Sequence, residues 1–340
     1  MVRSVGGGGA GGLLGASLVC GRGLTERQRA LCHSAPAAVA ALGRGLSMAY
    51  AECRAQLAGR RWNCSGVGDD PRLGHILPMA TKEAAFTYAI AAAGVTHALG
   101  AACARGDLPN CACNNGRRRV MSVPEQWEWG GCEGAAWGAR FARRWLDARE
   151  LEADARAAMN LHNNRVGRKV SELVKDMVRH ECKCHGVSGS CAVKTCWRAL
   201  PPFPLVGAAL RDKYRRARLV HALPDAGAPP PPHAGGDVLP YHTPNVLMTL
   251  GQMPQLSELV YLQPSPSYCE PDPAAAAPGT RGRHCNHTAT GEESCSHVCC
   301  GRGWRSVPVV SRDKCRCRFR WCCTVACDIC VTRSTAHVCN

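Results

Sequence analysis

Twenty-four cysteines in 340 residues constrain this chain more than any other feature. An even count at this density marks an oxidised, secreted protein in which most cysteines pair. They are unevenly spread: residues 269–339 hold 12 of the 24. That segment shows little helical periodicity, so bridges rather than a sizeable core must hold it. Upstream, the tightest knot is 182–196, which begins Cys182-Lys183-Cys184-His185-Gly186-Val187-Ser188-Gly189-Ser190-Cys191 and ends Thr195-Cys196. Gly186 and Gly189 flank Val187-Ser188 and permit positive φ, so the chain can fold back tightly. Residues 181–184 and 191–197 then read as the strands of a hairpin. If the outer and inner cysteines pair across it, each bridge contributes about 2–4 kcal/mol, mainly by restricting the unfolded chain. The product is a stiff finger presenting the Ser188 hydroxyl. On composition alone the residues favour a plain stapled turn, and His185 sits on the same short turn, poorly placed as a base for Ser188.

A chain of this length buries a substantial core and predicts two domains. Its 42 Lys and Arg against 26 Asp and Glu leave a net charge of +16. Outside the cell such a surface seeks sulfated glycans, and the cysteine usage argues against nucleic acid as the partner. No apolar run approaches the ~20 residues that span a bilayer. Residues 1–19, with one Arg and a Gly-rich stretch around Leu13-Leu14, read as a weak or incomplete signal region.

Thr25-Glu26-Arg27-Gln28 predicts a capping box opening a short helix that Pro36 ends. Val39, Leu42, Leu46 and Tyr50 predict a longer helix from Pro36 to Leu57. Thr81 to Ala104 is alanine-rich and helical, ended by Gly106 and Pro109. Trp137, Phe141 and Trp145 share one helical face and read as core. Val166, Val170, Leu173, Val174 and Met177 mark another amphipathic face, with His162 ahead of it as a packed or capping histidine. A helix is expected from Leu205 to Val220, carrying Arg211, Lys213, Arg215, Arg216 and Arg218. Pro224 to Pro240, with four prolines in a row from Pro229, reads as a mobile linker. Asn63-Cys64-Ser65 and Asn286-His287-Thr288 are sequons.

The last cysteines allow a test of register. If Cys315 pairs with Cys330, Cys317 with Cys327 and Cys322 with Cys323, the index sums stay nearly constant, as facing residues of an antiparallel hairpin require. The vicinal pair then sits at the tip, beside Phe319, Trp321 and Thr324. Aromatics exposed on a rigid tip point to a binding contact; the alternative is a small cluster under a loop.

Several stretches closely resemble the Wnt family of secreted signalling proteins. They are Cys182 to Cys191, Thr195-Cys196-Trp197, Arg60 to Ser65, Trp127 to Cys132, Cys299 to Gly303 and Cys315 to Cys323. The resemblance runs from Cys20 to Asn340 and departs in the first residues, in 224–240 and in the alanine-rich stretch Pro271 to Pro278. It implies an α+β fold: a helical N-terminal domain (20–223) carrying a disulfide-stapled, lipidated hairpin (182–196), a Pro-rich linker region (224–258), and a small cysteine-rich β-hairpin C-terminal domain (259–340) with a second finger (315–330). It further implies pairing of Cys53 with Cys64, Cys103 with Cys111, Cys113 with Cys132, Cys182 with Cys196, Cys184 with Cys191, Cys269 with Cys300, Cys285 with Cys295 and Cys299 with Cys339. Cys20 and Cys32 remain for each other.

The resemblance also carries function. It implies a mono-unsaturated fatty acyl ester on Ser188, added by a membrane-bound O-acyltransferase and shielded by a lipid carrier during secretion. Val187, Ser188 and Gly189 on one finger, and Phe319, Trp321, Cys322, Cys323 and Thr324 on the other, would meet the cysteine-rich domain of a Frizzled receptor. Co-receptors of the low-density-lipoprotein-receptor-related type and heparan sulfate proteoglycans are further implied partners, and Asn63 and Asn286 are implied glycosylation sites. The function expected is a secreted developmental signalling ligand of the extracellular space and matrix, with no cofactor beyond the acyl group. The alternative is a disulfide-rich matrix or glycan-binding protein without a receptor-activating role. Zinc fits poorly, because Cys182-x-Cys184 and Cys315-x-Cys317 have one-residue gaps where structural sites favour two. An enzyme is not expected: there is no nucleophile elbow, no His-Glu-x-x-His and no paired acid motif.

Overall fold

The computed structural model describes residues 19–21, 23–67, 77–109, 111, 134–149, 155–173, 179–186, 190–191, 194–222, 237–239 and 254–340. Contacts divide the chain into two units, 1–56 with 67–265, and 57–66 with 266–340.

The first unit is built around one helix. Helices α1 (Glu26–Ser34), α2 (Pro36–Gln56), α3 (Lys82–Ala104), α4 (Gly134–Leu146) and α5 (Ala155–Leu173) precede the strands β1 (Arg179–Cys184) and β2 (Lys194–Ala199). Helix α6 (Phe203–Arg215) and strands β3 (Arg218–Ala222), β4 (Asp237–Leu239) and β5 (Val260–Tyr261) follow. Thr25 caps α1 and Gln28 returns the bond, the reciprocal box that the sequence spells. Thr81 caps α3 by accepting from the Ala84 N–H at 3.4 Å. Helices α2, α4, α5 and α6 all pack on α3. By length and composition α3 is apolar enough to cross a bilayer, which corrects the expectation that no run approaches that length; its apolar window is 83% buried inside the protein.

Glycines set how closely the neighbours approach α3. A Cβ on Gly45 of α2 would stand 2.7 Å from the Gly94 carbonyl oxygen, and one on Gly138 of α4 2.7 Å from that of Thr96. A Cβ on Gly167 of α5 would overlap the carbonyl of Ala89. Alanine and glycine faces thus let backbone meet backbone, and the larger side chains fill between. Phe141 and Trp145 of the predicted aromatic stripe are buried, and Trp137 stacks on Phe141 at 5.4 Å.

Polar side chains tie the later segments onto these helices. Asn163 holds β5 as a strand would: its amide donates to the Val260 carbonyl at 2.9 Å and accepts from the Val260 N–H at 3.1 Å. Buried Glu83 accepts from Tyr214 Oη at 2.8 Å and Ser265 Oγ at 2.6 Å. Asp147, in the short turn after α4, accepts both Arg168 guanidinium nitrogens at 2.9 and 3.0 Å and Asn164 at 3.2 Å. Two expectations change here. The helix expected to Val220 stops at Arg215, and 218–222 is strand β3. Strand β3 pairs in parallel with β4 and with β5, so 237–239, read as linker, is sheet. The branched Leu219-Val220 pair suits a strand, and β5 supplies the partner that periodicity alone does not show.

Two half-buried histidines make this unit sensitive to acid. His162 Nε2 donates to the Glu258 carbonyl at 2.8 Å, which selects the neutral tautomer with its proton on Nε2. His97 packs on Phe203 at 5.4 Å. Burial lowers the pKa of both below the ordinary histidine value. The unfolded chain therefore takes up protons first, near pH 6.5, and stability falls as the pH drops from there toward the folded-state values. The urea midpoint should be lower at pH 5.5 than at pH 7.5; equal midpoints would rule out this linkage.

The second unit comprises β6 (His284–Cys285), α7 (Cys295–Val298), β7 (Trp304–Arg320) and β8 (Thr324–Cys339), with sheet order β6-β8-β7. Its buried cluster is Cys295, Val298, Cys299 and Cys339 with Cys285 packed against it, so sulfur does most of the filling. The sequence division put 57–66 with the N-terminal domain and 259–265 with the C-terminal one; contacts reverse both. The reason is polar. The Arg283 guanidinium donates to the carbonyls of Ala58, Arg60 and Arg61, and Trp62 Nε1 donates to the Ala275 carbonyl at 3.0 Å. Ala275 and Ala277 are buried, so the alanine-rich stretch that looks like an insertion is the receiving surface for Trp62.

Candidate functional site

The first finger is the β1–β2 hairpin. Its register sets Cys182 opposite Cys196 and Cys184 opposite Lys194. Cys184 is bridged to Cys191, and Cys182 is also disulfide-bonded. The Gly186 N–H donates to the Ser190 carbonyl at 2.9 Å and closes the loop. Gly186 is required for closeness rather than for the positive φ expected: a Cβ there would overlap the Ser190 hydroxyl, and Gly186 is not among the positive-φ glycines. Val187, Ser188 and Gly189 lie outside the described residues.

The second finger is the long β7–β8 ribbon. Strands pair from Trp304–Cys339 to Arg320–Thr324, with one irregularity between Cys315 and Arg318. Arg316 sits there at φ 47°, a bulge that adds a residue to one strand. Cys315–Cys330 and Cys317–Cys327 bridge the strands on either side of the bulge. The register places Asp328 opposite Cys315, so that first bridge runs diagonally. At the tip Trp321 is 93% and Phe319 71% exposed, which excludes a cluster under a loop. Cys322 and Cys323 differ from expectation: both thiols are free and exposed. They occupy the turn at φ 70° and 78°, the left-handed conformation that a tight hairpin reversal demands.

Five of the other expected bridges lie where the resemblance puts them. Cys20–Cys32, Cys103–Cys111, Cys269–Cys300, Cys285–Cys295 and Cys299–Cys339 are formed. Cys53 and Cys64 are each disulfide-bonded. Cys113 and Cys132 lie outside the described residues. Both sequons adopt one local geometry. The Ser65 hydroxyl donates to Asn63 Oδ1 at 2.7 Å, and the Thr288 hydroxyl to Asn286 Oδ1 at 2.7 Å. With its oxygen held, each carboxamide keeps its nitrogen, the atom that takes a glycan, for solvent.

The basic face expected over 205–220 is partly occupied. Lys213 donates to the Ser257 carbonyl at 2.8 Å, and Arg218 pairs with Glu258 at 3.5 Å. Burial, with Arg216 and Lys169 nearby, lowers the Lys213 pKa. The ribbon offers a denser exposed set: Arg305, Arg312, Lys314, Arg316, Arg318 and Arg333. Sequence reasoning passed over these, although the signal is legible as a basic residue at every second position from 312 to 318.

Comparison with known proteins decides the family. The Wnt family description matches residues 21–340. The chain belongs to the Wnt family. It is 45% identical to Protein Wnt-2 of Drosophila melanogaster over 325 residues, covering 92% of this chain and 90% of that protein. A solved structure of human WLS in complex with WNT8A matches with a TM-score of 0.57 and 31% identity, over 89% of this chain and 94% of that one. The Drosophila WntD N-terminal domain-linker is also similar, with a TM-score of 0.43 and 22% identity over 67% of this chain and 97% of that one. As a Wnt family member this protein is a signalling ligand and not an enzyme. The helical first unit and the cysteine-rich hairpin unit make up the α+β architecture expected.

Proposed function

We propose that this protein is a secreted, acylated Wnt glycoprotein that signals by binding the cysteine-rich domain of a Frizzled receptor. The observation that carries the reading is the exposure of Trp321 and Phe319 at the end of a ribbon bridged at Cys315–Cys330 and Cys317–Cys327. A large indole held in water on a stiff support is preorganised for a pocket, because little side-chain or loop freedom remains to be lost on binding. Ser188 takes the acyl group, and Val187 and Gly189 flank it at the receptor. Cys322, Cys323 and Thr324 complete the contact surface of the second finger. Sulfated glycans of proteoglycans lie on the basic ribbon rather than on the basic residues of 211–218, where Lys213 and Arg218 already have partners. The membrane-bound O-acyltransferase, a lipid-shielding carrier and a co-receptor of the low-density-lipoprotein-receptor-related type complete the set of partners.

Trp321→Ala tests the second finger. Its affinity for an immobilised Frizzled cysteine-rich domain should fall about 30-fold, equivalent to the ~2 kcal/mol of a central aromatic contact. Acylation, read by mass spectrometry on the same sample, should not change. Unaltered affinity would remove the ribbon tip from the receptor interface.

A further inference from the structure

The exposed apolar side chains of the β7–β8 ribbon gather on one of its faces. Residues directly opposite each other in an antiparallel pair project to the same side, and alternate residues along each strand share that side. Val310 stands opposite Arg333, Arg312 opposite Val331 and Lys314 opposite Ile329, so these six share one face. Past Cys315 the pairing shifts by one residue, from Cys315–Asp328 to Arg318–Ala326. The bulge thereby reverses the parity of β7 and brings Phe319, opposite Val325, to the same face as Ile329 and Val331. Ile329 is 69%, Val325 63%, Val310 56% and Val331 54% exposed, and Arg312, Lys314 and Arg333 are exposed among them. The two carboxylates of the strands, Asp313 and Asp328, lie on the opposite face with Ser311, Thr332 and Ser334. The ribbon is thus amphipathic across its thickness, with three cations, five apolar side chains and no acid on one side.

We propose that this face is a docking surface for an anionic lipid bilayer, on which the ribbon lies flat in the headgroup layer. Three cations with no neighbouring carboxylate match negatively charged headgroups. The aliphatic side chains and Phe319 between them reach the boundary of the acyl chains, the division of labour that interfacial amphipathic elements use. A sulfated glycan would engage the cations and leave the apolar side chains in water. A second copy of the chain laid face to face would set like charges against each other. A bilayer satisfies both halves of the pattern, because charge and apolar depth are met at the same surface. The inference does not rest on acylation of Ser188, since an acyl chain inserts by its methylenes whatever the charge of the headgroups.

The test is flotation of the intact secreted protein with vesicles of phosphatidylcholine alone and with vesicles containing about one-third phosphatidylserine. Each cation near an anionic surface strengthens binding roughly fivefold, so the charged vesicles should be preferred by at least about tenfold. Arg312→Gln with Lys314→Gln should weaken binding to them by about 25-fold. Ile329→Gln with Val331→Gln, which leaves every cation in place, should weaken it by about tenfold. Thr332→Gln with Ser334→Gln, on the opposite face, should leave it unchanged. Non-reducing peptide maps report whether Cys315–Cys330 and Cys317–Cys327 persist in each variant, so loss of the ribbon is distinguishable from loss of the surface. Equal binding to both vesicle types, as an acyl chain alone would give, would overturn the proposal. So would full binding by the Ile329 and Val331 double variant, as attraction to the cations alone would give, or an equal loss on the opposite face. Absence of vesicle binding would also overturn it and leave the face to an acidic protein partner.

Discussion

Ser188→Ala is expected to yield a folded protein that carries no acyl mass on the peptide containing position 188, is poorly secreted and does not signal. The bridges should persist, because neither Cys184–Cys191 nor the Gly186-to-Ser190 hydrogen bond uses the Ser188 side chain. The functional loss should be large because the acyl chain does what no side chain of that size can do. Each buried methylene contributes about 0.8 kcal/mol, so ~10 of them contribute roughly 8 kcal/mol to holding the receptor. Affinity should therefore fall by at least about 100-fold even if other contacts partly compensate. Intact mass, non-reducing peptide maps and a cell reporter read the three consequences separately. Normal signalling from the unacylated variant would refute the lipid as the principal contact.

Gly167→Ala is expected to destabilise the first unit, in opposition to helix propensity. Alanine in the interior of a helix is favoured over glycine by about 1 kcal/mol, so a freely exposed site would gain stability. At Gly167 the added methyl overlaps the carbonyl of Ala89, a backbone atom of α3 that cannot rotate away. Separating α5 from α3 would open the contacts around buried Val166, Val170 and Met159. A net loss of about 2–3 kcal/mol follows, and for a unit of this size that lowers the thermal midpoint by roughly 5–10 °C. A rise in the midpoint would show that the helices are not held by this backbone approach. The test is selective, since the ribbon bridges belong to the other unit and should be unaffected.

The elements that could be read in advance were those whose cause is local. The capping box at Thr25, the entry of Pro36 into a helix and the start of α3 after Thr81 are each written within four residues, and each forms. The aromatic stripe of α4 and the hairpin character of 182–196 were legible for the same reason. Less legible were features that need a distant partner. Nothing near Leu219-Val220 announces β5 as the strand that turns 218–222 out of its helix. Nothing near Arg60-Arg61-Trp62 announces that Arg283 and Ala275 will claim those residues for the other unit. At the fingers, sequence and resemblance named the tip residues, but only coordinates give the 93% exposure of Trp321 or the free thiols beside it.

By itself the sequence determined an oxidised compartment, the helices with written caps, the two cysteine-bracketed hairpins and, through its motifs, the family. These follow from covalent chemistry and from backbone preferences that act over a few residues. Tertiary structure decided which unit holds 57–66, how closely α2, α4 and α5 approach α3, and which cations remain exposed. Those outcomes depend on carbonyls, carboxylates and rings contributed from far along the chain, and such groups become neighbours only once the helices and the ribbon have packed.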